Sequence, residues 1–236
     1  VVKPGSYTMA EGETINDLVE KAGGYTNNAY EFGAIYQNED AKIINKKARD
    51  ILYNAFLDNI IDAKEKDVSG MFEIASLVGL AQEIRDSEPN GRVIVDLIND
   101  RSIDLYTVKE GDELHIPEAN NIVYVYGEIS TEGTVMYTPN KWIDHFIAKS
   151  GGYGKFADSK SIFILHPNGE SQLYKRSRNI FESSPQSDIQ VYPGSIIFVP
   201  RAIDDTIPRR LAAQAYVSIL GNLGISLASL SAINNN

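Results

Sequence analysis

The three imidazoles, His115, His145 and His166, are the first candidates for acid–base work or metal binding. They lack the short paired spacing by which a helix or loop brings two ligands to one ion. His115 lies between Leu114 and Ile116 in an expected strand, which makes it a structural or surface residue. Cysteine is absent, so thiolate ligands, disulfides and cysteine nucleophiles are excluded. The acid pairs Glu39-Asp40 and Asp204-Asp205, and the run from Asp62 to Asp67, lack the alternating oxygen ligands of a calcium loop and read as solvated faces. The stretch Ser150-Gly151-Gly152-Tyr153-Gly154-Lys155 superficially resembles a phosphate loop. It lacks the GxxxxGK[ST] spacing and follows a helix where a phosphate loop would precede one, so it predicts a helix C-cap. No nucleophile–base–acid set is present. No catalytic residue, metal site or cofactor site is therefore assigned, and no enzymatic activity is expected. Trp142 opens a predicted helix, with core packing favoured over a role as an interface anchor or a sugar-stacking platform.

The elements that carry these residues are set by an internal repeat. Residues 5–25, GSYTMAEGETINDLVEKAGGY, align with residues 133–153, GTVMYTPNKWIDHFIAKSGGY, at an offset of 128. Val108 to Pro117, VKEGDELHIP, aligns with Val191 to Pro200, VYPGSIIFVP, at an offset of 83. Each unit predicts a turn (Pro4-Gly5, Glu132-Gly133), a strand, and then a helix with apolar residues at helical spacing. Those residues are Ile15, Leu18, Val19 and Ala22 in the first unit, and Ile143, Phe146 and Ile147 in the second. A Gly-Gly cap ends each helix. Strands are expected at Ser161–Leu165 and, after an Asn168-Gly169 hairpin turn, Glu170–Tyr174, with a last strand running into Pro200. The second unit opens with a strand in IVYVYGEI, residues 122–129. Val1 aligns with Ile129, which predicts that the chain is the C-terminal part of a longer protein.

The extra sequence of the first unit, about residues 38–90, predicts a helical hairpin. Ile43, Ile44, Ala48, Ile51, Leu52, Ala55, Phe56, Ile60 and Ile61 recur at three- and four-residue steps. Ser69-Gly70 breaks the pattern; Met71, Ile74, Leu77, Val78 and Ala81 resume it. After Pro89-Asn90-Gly91, a strand over Arg92–Leu97 is expected to rejoin the sheet. Strands with one helix on one face of a mixed sheet make an α+β plan.

Composition narrows the partners. A net charge of −10 with no basic stripe argues against nucleic acid and against charge-driven docking on anionic lipid. The last 26 residues, Leu211 to Asn236, carry no charge. A helix over Leu211–Ile233 would rise roughly 35 Å, enough for the ~30 Å core of a bilayer. Plotted at 100° per residue, it has three faces. Gln214, Ser218, Asn222, Ser226 and Ser229 form an uncharged polar face. Tyr216, Ile219, Leu220, Leu223, Leu227 and Leu230 form a bulky apolar face, and Ala213, Val217, Gly221, Gly224 and Ala228 a small one. These are expected to line a pore, face lipid and pack helix on helix, respectively. Asp205 and Thr206 are candidate caps before Pro208. Arg209 and Arg210 then sit at the unfavourable end of the helix dipole, a placement that fits contact with lipid phosphate at the membrane interface.

The second unit resembles an SLBB domain, the β-grasp module of bacterial outer-membrane polysaccharide export proteins of the Wza/KpsD type. The residues that carry the resemblance are Gly127-Glu128, Gly133, Tyr137, Ile143, the Ala148–Tyr153 turn, Ala157-Asp158, His166–Gly169 and Pro193–Pro200. The first unit is similar, with a helical excursion after Gly33-Ala34-Ile35-Tyr36. The resemblance implies two tandem β-grasp domains, 1–118 (insertion about 38–90) and 119–203, followed by an amphipathic helix within 204–236. It also implies a homo-oligomeric ring in the periplasm of a Gram-negative bacterium, with C-terminal helices in the outer-membrane lipid and a polysaccharide in transit. An inner-membrane polysaccharide co-polymerase is the implied partner. Two alternatives stay open: a soluble periplasmic accessory protein of capsule assembly with the tail helix folded on its own domain, and a glycan-binding protein using a cleft between the units.

Overall fold

The computed structural model describes residues 1–65, 71–98, 104–174 and 189–202. Helix α1 spans Ile15–Lys21. Thr14 starts it with a capping box: its backbone N donates to Asp17 Oδ2 at 2.7 Å, and its Oγ1 accepts from Asp17 N at 3.3 Å. Ile15 and Val19 face the core, as their spacing predicts. Gly23 and Gly24 follow at positive φ, and Gly24 N donates to Val19 O at 2.9 Å to close the end. Thr14→Ala is expected to cost about 1 kcal/mol, read as a lower urea midpoint with an unchanged slope.

Strand β1 spans Ile35–Gln37, and the chain then leaves the sheet through α2, Glu39–Glu65, and α3, Met71–Asp86. The two helices pack on each other. Arg49, early in α2, donates through Nη1 to Ser87 O just past α3 at 2.9 Å, which fixes an antiparallel hairpin. Strand β2, Arg92–Val93, and strand β3, Glu113–His115, complete a three-stranded sheet in the order β2-β1-β3. The second unit contributes β4, Ile122–Gly127, β5, Gly133–Met136, α4, Ile143–Lys149, β6, Ile162–Leu165, β7, Ser171–Tyr174, and β8, Ile196–Val199. They form a mixed sheet in the order β5-β4-β8-β6-β7, with β4 and β8 parallel and the other pairs antiparallel.

The repeat is carried into backbone pairing, residue for residue. Ile35 faces His115 across β1 and β3; at offsets of 128 and 83, Phe163 faces Phe198 across β6 and β8. The lone bridge Ala29–Glu118 has its counterpart in Ala157–Arg201. The bond from Tyr30 N to Pro117 O, at 2.8 Å, recurs from Asp158 N to Pro200 O at 2.8 Å. Both units use one register because the same alternation of apolar residues sets it.

The core lies between α4 and one face of the larger sheet. Phe146, Ile143 and Ile147 meet Val123, Val125, Ile164, Ile197 and Val199 there. The opposite face carries Tyr124, Tyr126, Leu165, Ile196 and Phe198. That face turns towards the first unit.

Four expectations change. No strand forms in residues 5–13: β5 is held by β4, and among the described residues no segment takes the place of β4 beside the first unit's counterpart. The strand expected over Arg92–Leu97 stops at Val93, since β1, its partner, is three residues long. Trp142 is half exposed rather than in the core: it is the N-cap of α4 with extended backbone, and Ile143, Phe146 and Ile147 take the inward face. Ile43, Ile44, Ala48 and Ile51 of α2 are exposed. Ile43 and Ile44 lie about 100° apart on the helix, so a single partner helix cannot cover the whole apolar set.

Among the described residues, no helix is long and apolar enough to cross a membrane. The break at Ser69-Gly70, Asp204 to Thr206, Arg209, Arg210 and every residue assigned above to the three faces of the tail lie outside the described residues.

Candidate functional site

Local sequence builds the second unit's side of a cleft. His166-Pro167-Asn168-Gly169 is the tight turn between β6 and β7: Gly169 N donates to His166 O at 2.9 Å, and Asn168 Oδ1 accepts from Glu170 N at 2.9 Å. Gly169 takes φ 93°, which this turn requires of its last residue. In the first unit the same position between strands is occupied by the helical hairpin. The hairpin's return strand, β2, delivers Arg92 to the turn of the second unit.

Arg92 Nη2 donates to Pro167 O. The guanidinium lies so close to Gly169 that a Cβ there would sit 2.5 Å from Nε. Nε itself is buried, and among the described residues it has no hydrogen-bond partner. No carboxylate among the described residues forms an ion pair with Arg92. Burial without a counter-charge pushes its pKa down to about 10, so it remains a cation at neutral pH.

The units meet through aromatic contacts beside this arginine. Phe32 of the first unit lies on Tyr192 of the second, with ring centroids 4.2 Å apart. His166 meets Tyr192 edge-on at 5.3 Å. Tyr30 donates its hydroxyl to Pro193 O at 3.1 Å, and burial raises its pKa. The His166 ring is 3% exposed, and its Nδ1 lies 3.3 Å from Ser195 Oγ. Burial pushes its pKa down to about 4, against a smaller opposing pull from Glu170. It is therefore a neutral hydrogen-bonding group at physiological pH.

Between these contacts is a cleft with roughly 550 Å³ of empty space, counting open solvent at its mouth. Arg92, Tyr30, Tyr124, His166 and Asn120 give it polar atoms, and Pro117, Pro167, Pro193, Leu165 and Ile196 give it apolar walls. Glu118 also lines it, at an exposed position. The arrangement can hold a small polar molecule and has no nucleophile–base pair to transform one.

The other residues weighed for chemistry fall elsewhere. His115 is half buried in β3 with Nε2 unpartnered among the described residues, and burial lowers its pKa. His145 packs edge-on against Phe146. Asp40 pairs with Lys109 Nζ at 2.5 Å. Gly151 and Gly152 cap α4, with Gly152 N donating to Ile147 O at 2.9 Å, as expected for a helix end. Sequence reasoning raised a cleft between the units but missed Arg92. Its one trace in the sequence is position: it follows Asn90-Gly91 at the point where the excursion rejoins the sheet.

Comparison with known proteins agrees with this architecture. The family model of the SLBB domain matches residues 1–37. Two polysialic acid transport proteins KpsD of Escherichia coli are each 27% identical to the chain over 169 residues, which is 70% of this chain and 29% of the relative. The chain thus spans less than a third of the length of these relatives. It carries an SLBB domain and resembles the SLBB polysaccharide export proteins.

Proposed function

We propose that the chain works in polysaccharide export as the C-terminal portion of an envelope protein. The similarity to KpsD, a polysialic acid transport protein, over 70% of the chain carries the reading. The shared register of the two units supports its finer form, two tandem β-grasp domains at 1–118 and 119–203. On this reading copies assemble as a periplasmic ring beneath the outer membrane of a Gram-negative cell. The tail, 204–236, crosses the lipid as a helix. Gln214, Ser218, Asn222, Ser226 and Ser229 line the path, Tyr216 to Leu230 meet lipid, and the Ala213–Ala228 seam joins neighbours. Arg209 and Arg210 reach the interface. A polysaccharide co-polymerase of the inner membrane feeds the ring, and no bond is made or broken in it.

The test is removal of 209–236 from the full-length protein in its capsule-forming host. Surface polysaccharide is expected to disappear while the truncated protein persists in the periplasm. Retained export would overturn the pore. Particle images of the full-length protein in detergent are expected to show rings; a monodisperse monomer with its tail intact would overturn the ring and favour a soluble accessory protein.

A further inference from the structure

We propose that the cleft between the two units binds a saccharide through its carboxylate, with Arg92 as the partner of the anion. Three observations on independent residues converge there. The first is a half-buried guanidinium with an unpartnered Nε and no ion pair among the described residues. Desolvating a cation without a counter-charge is costly, and a planar fork of donors matches a carboxylate in shape. The second is the wall chemistry. Tyr30, Tyr124 and the prolines present flat or apolar surfaces suited to the C–H face of a sugar ring, while Asn120 and the neutral His166 add hydrogen-bonding atoms suited to hydroxyls. The third is size: about 550 Å³ is in the range of small-molecule sites and leaves room for one or two sugar rings.

Arg92 is already used once, since Nη2 donates to Pro167 O and ties the units together. That bond consumes one donor of five and no charge. The chain's net charge of −10 repels an anion at long range, so the attraction is confined to the cleft. Glu118 at the exposed lining position places a carboxylate nearby, which favours a ligand whose charge enters deep, next to Arg92, and whose hydroxyls face the mouth. The site does not depend on export: it would serve a glycan sensor as well as a conduit, so either idea can fail alone.

The test uses the whole chain and four probes: glucuronic acid, its methyl ester, glucose and inorganic phosphate. Saturation-transfer NMR and thermal shift read binding. Glucuronate is expected to bind, with the ester and glucose at least about tenfold weaker. Arg92→Gln is expected to lose glucuronate binding by a similar factor, and Arg85→Gln, a surface arginine paired with Asp86, to keep it. The acid-against-ester comparison needs no variant, so it stands even if Arg92→Gln misfolds. Equal binding of acid and ester, glucuronate binding that survives in folded Arg92→Gln, or no binding at any soluble concentration would overturn the site. Phosphate binding as tightly as glucuronate would overturn its assignment to a saccharide.

Discussion

Gly127→Ala is expected to destabilise the chain by at least about 3 kcal/mol, a large share of a typical domain's 5–15 kcal/mol. Gly127 ends β4 at φ 94°, a backbone region that costs a side chain of order 1–3 kcal/mol. A second term adds to this. A Cβ at that position would lie 2.1 Å from Val199 O and 3.0 Å from Val199 C. The obstacle is backbone, so no rotamer change can relieve it. Val199 belongs to β8, paired between β4 and β6 at the centre of the sheet, and its carbonyl accepts from Glu128 N at 2.8 Å. Alanine must therefore push apart the parallel pair on which the sheet is built. Urea unfolding of the variant, followed by far-UV circular dichroism, is expected to show a much lower midpoint. Gly5→Ala is the control: a Cβ added there meets nothing within 4 Å, and its effect is expected to stay within about 0.5 kcal/mol. Equal behaviour of the two variants would refute the close approach.

The same glycine shows what can be read from the sequence. Local chemistry is legible. Helical spacing with Gly-Gly ends predicts α1 and α4, and the Asn168-Gly169 turn predicts the β6–β7 hairpin, because each is decided by residues a few positions apart. The constant offsets, 128 and 83, are reproduced in the strand registers, since the alternation that aligns the sequences is the alternation that aligns the strands. Gly127 stands in the sequence as part of a motif, but its reason, a carbonyl 72 positions further along the chain, is not visible there.

Non-local outcomes are illegible for the same cause. The strand expected after Gly5 needs a neighbour that local pattern does not supply. Trp142 reads as core in the sequence, and the cap geometry of α4 turns it outward. Ile44 and Ile51 follow a helical period and yet stay exposed, because periodicity names a face without naming what covers it. Arg92 is the clearest case. In sequence it is an ordinary arginine opening a short strand. Its setting comes from Pro167 and Gly169, which the packing of the two units brings beside it.

The pH dependence of that same junction is the second large effect. His166 is expected to make the chain lose roughly 3 kcal/mol of stability as pH falls from about 6.5 to about 4. Its ring is 3% exposed, packed between Phe32 and Tyr192, and close to Ser195 Oγ. That oxygen already accepts from Tyr192 N at 3.1 Å, so the serine proton is free to point at Nδ1 and the neutral ring accepts it. Burial holds the folded pKa near 4, while the unfolded chain titrates near 6.5. Between these values the unfolded state binds a proton that the folded state refuses, so stability is complete above pH 6.5 and falls as pH drops. Glu170 pulls the other way and softens the loss, whereas the Arg92 cation beside the same turn does not favour a second positive charge. Carboxylates elsewhere also titrate towards pH 4, so the decisive quantity is the difference in pH slope between the native chain and His166→Gln. The native chain is expected to lose stability more steeply between pH 6.5 and 4.5 in urea titrations. If the two slopes coincide, His166 is not held neutral by the contact between the units, and the junction is looser than its aromatic packing implies.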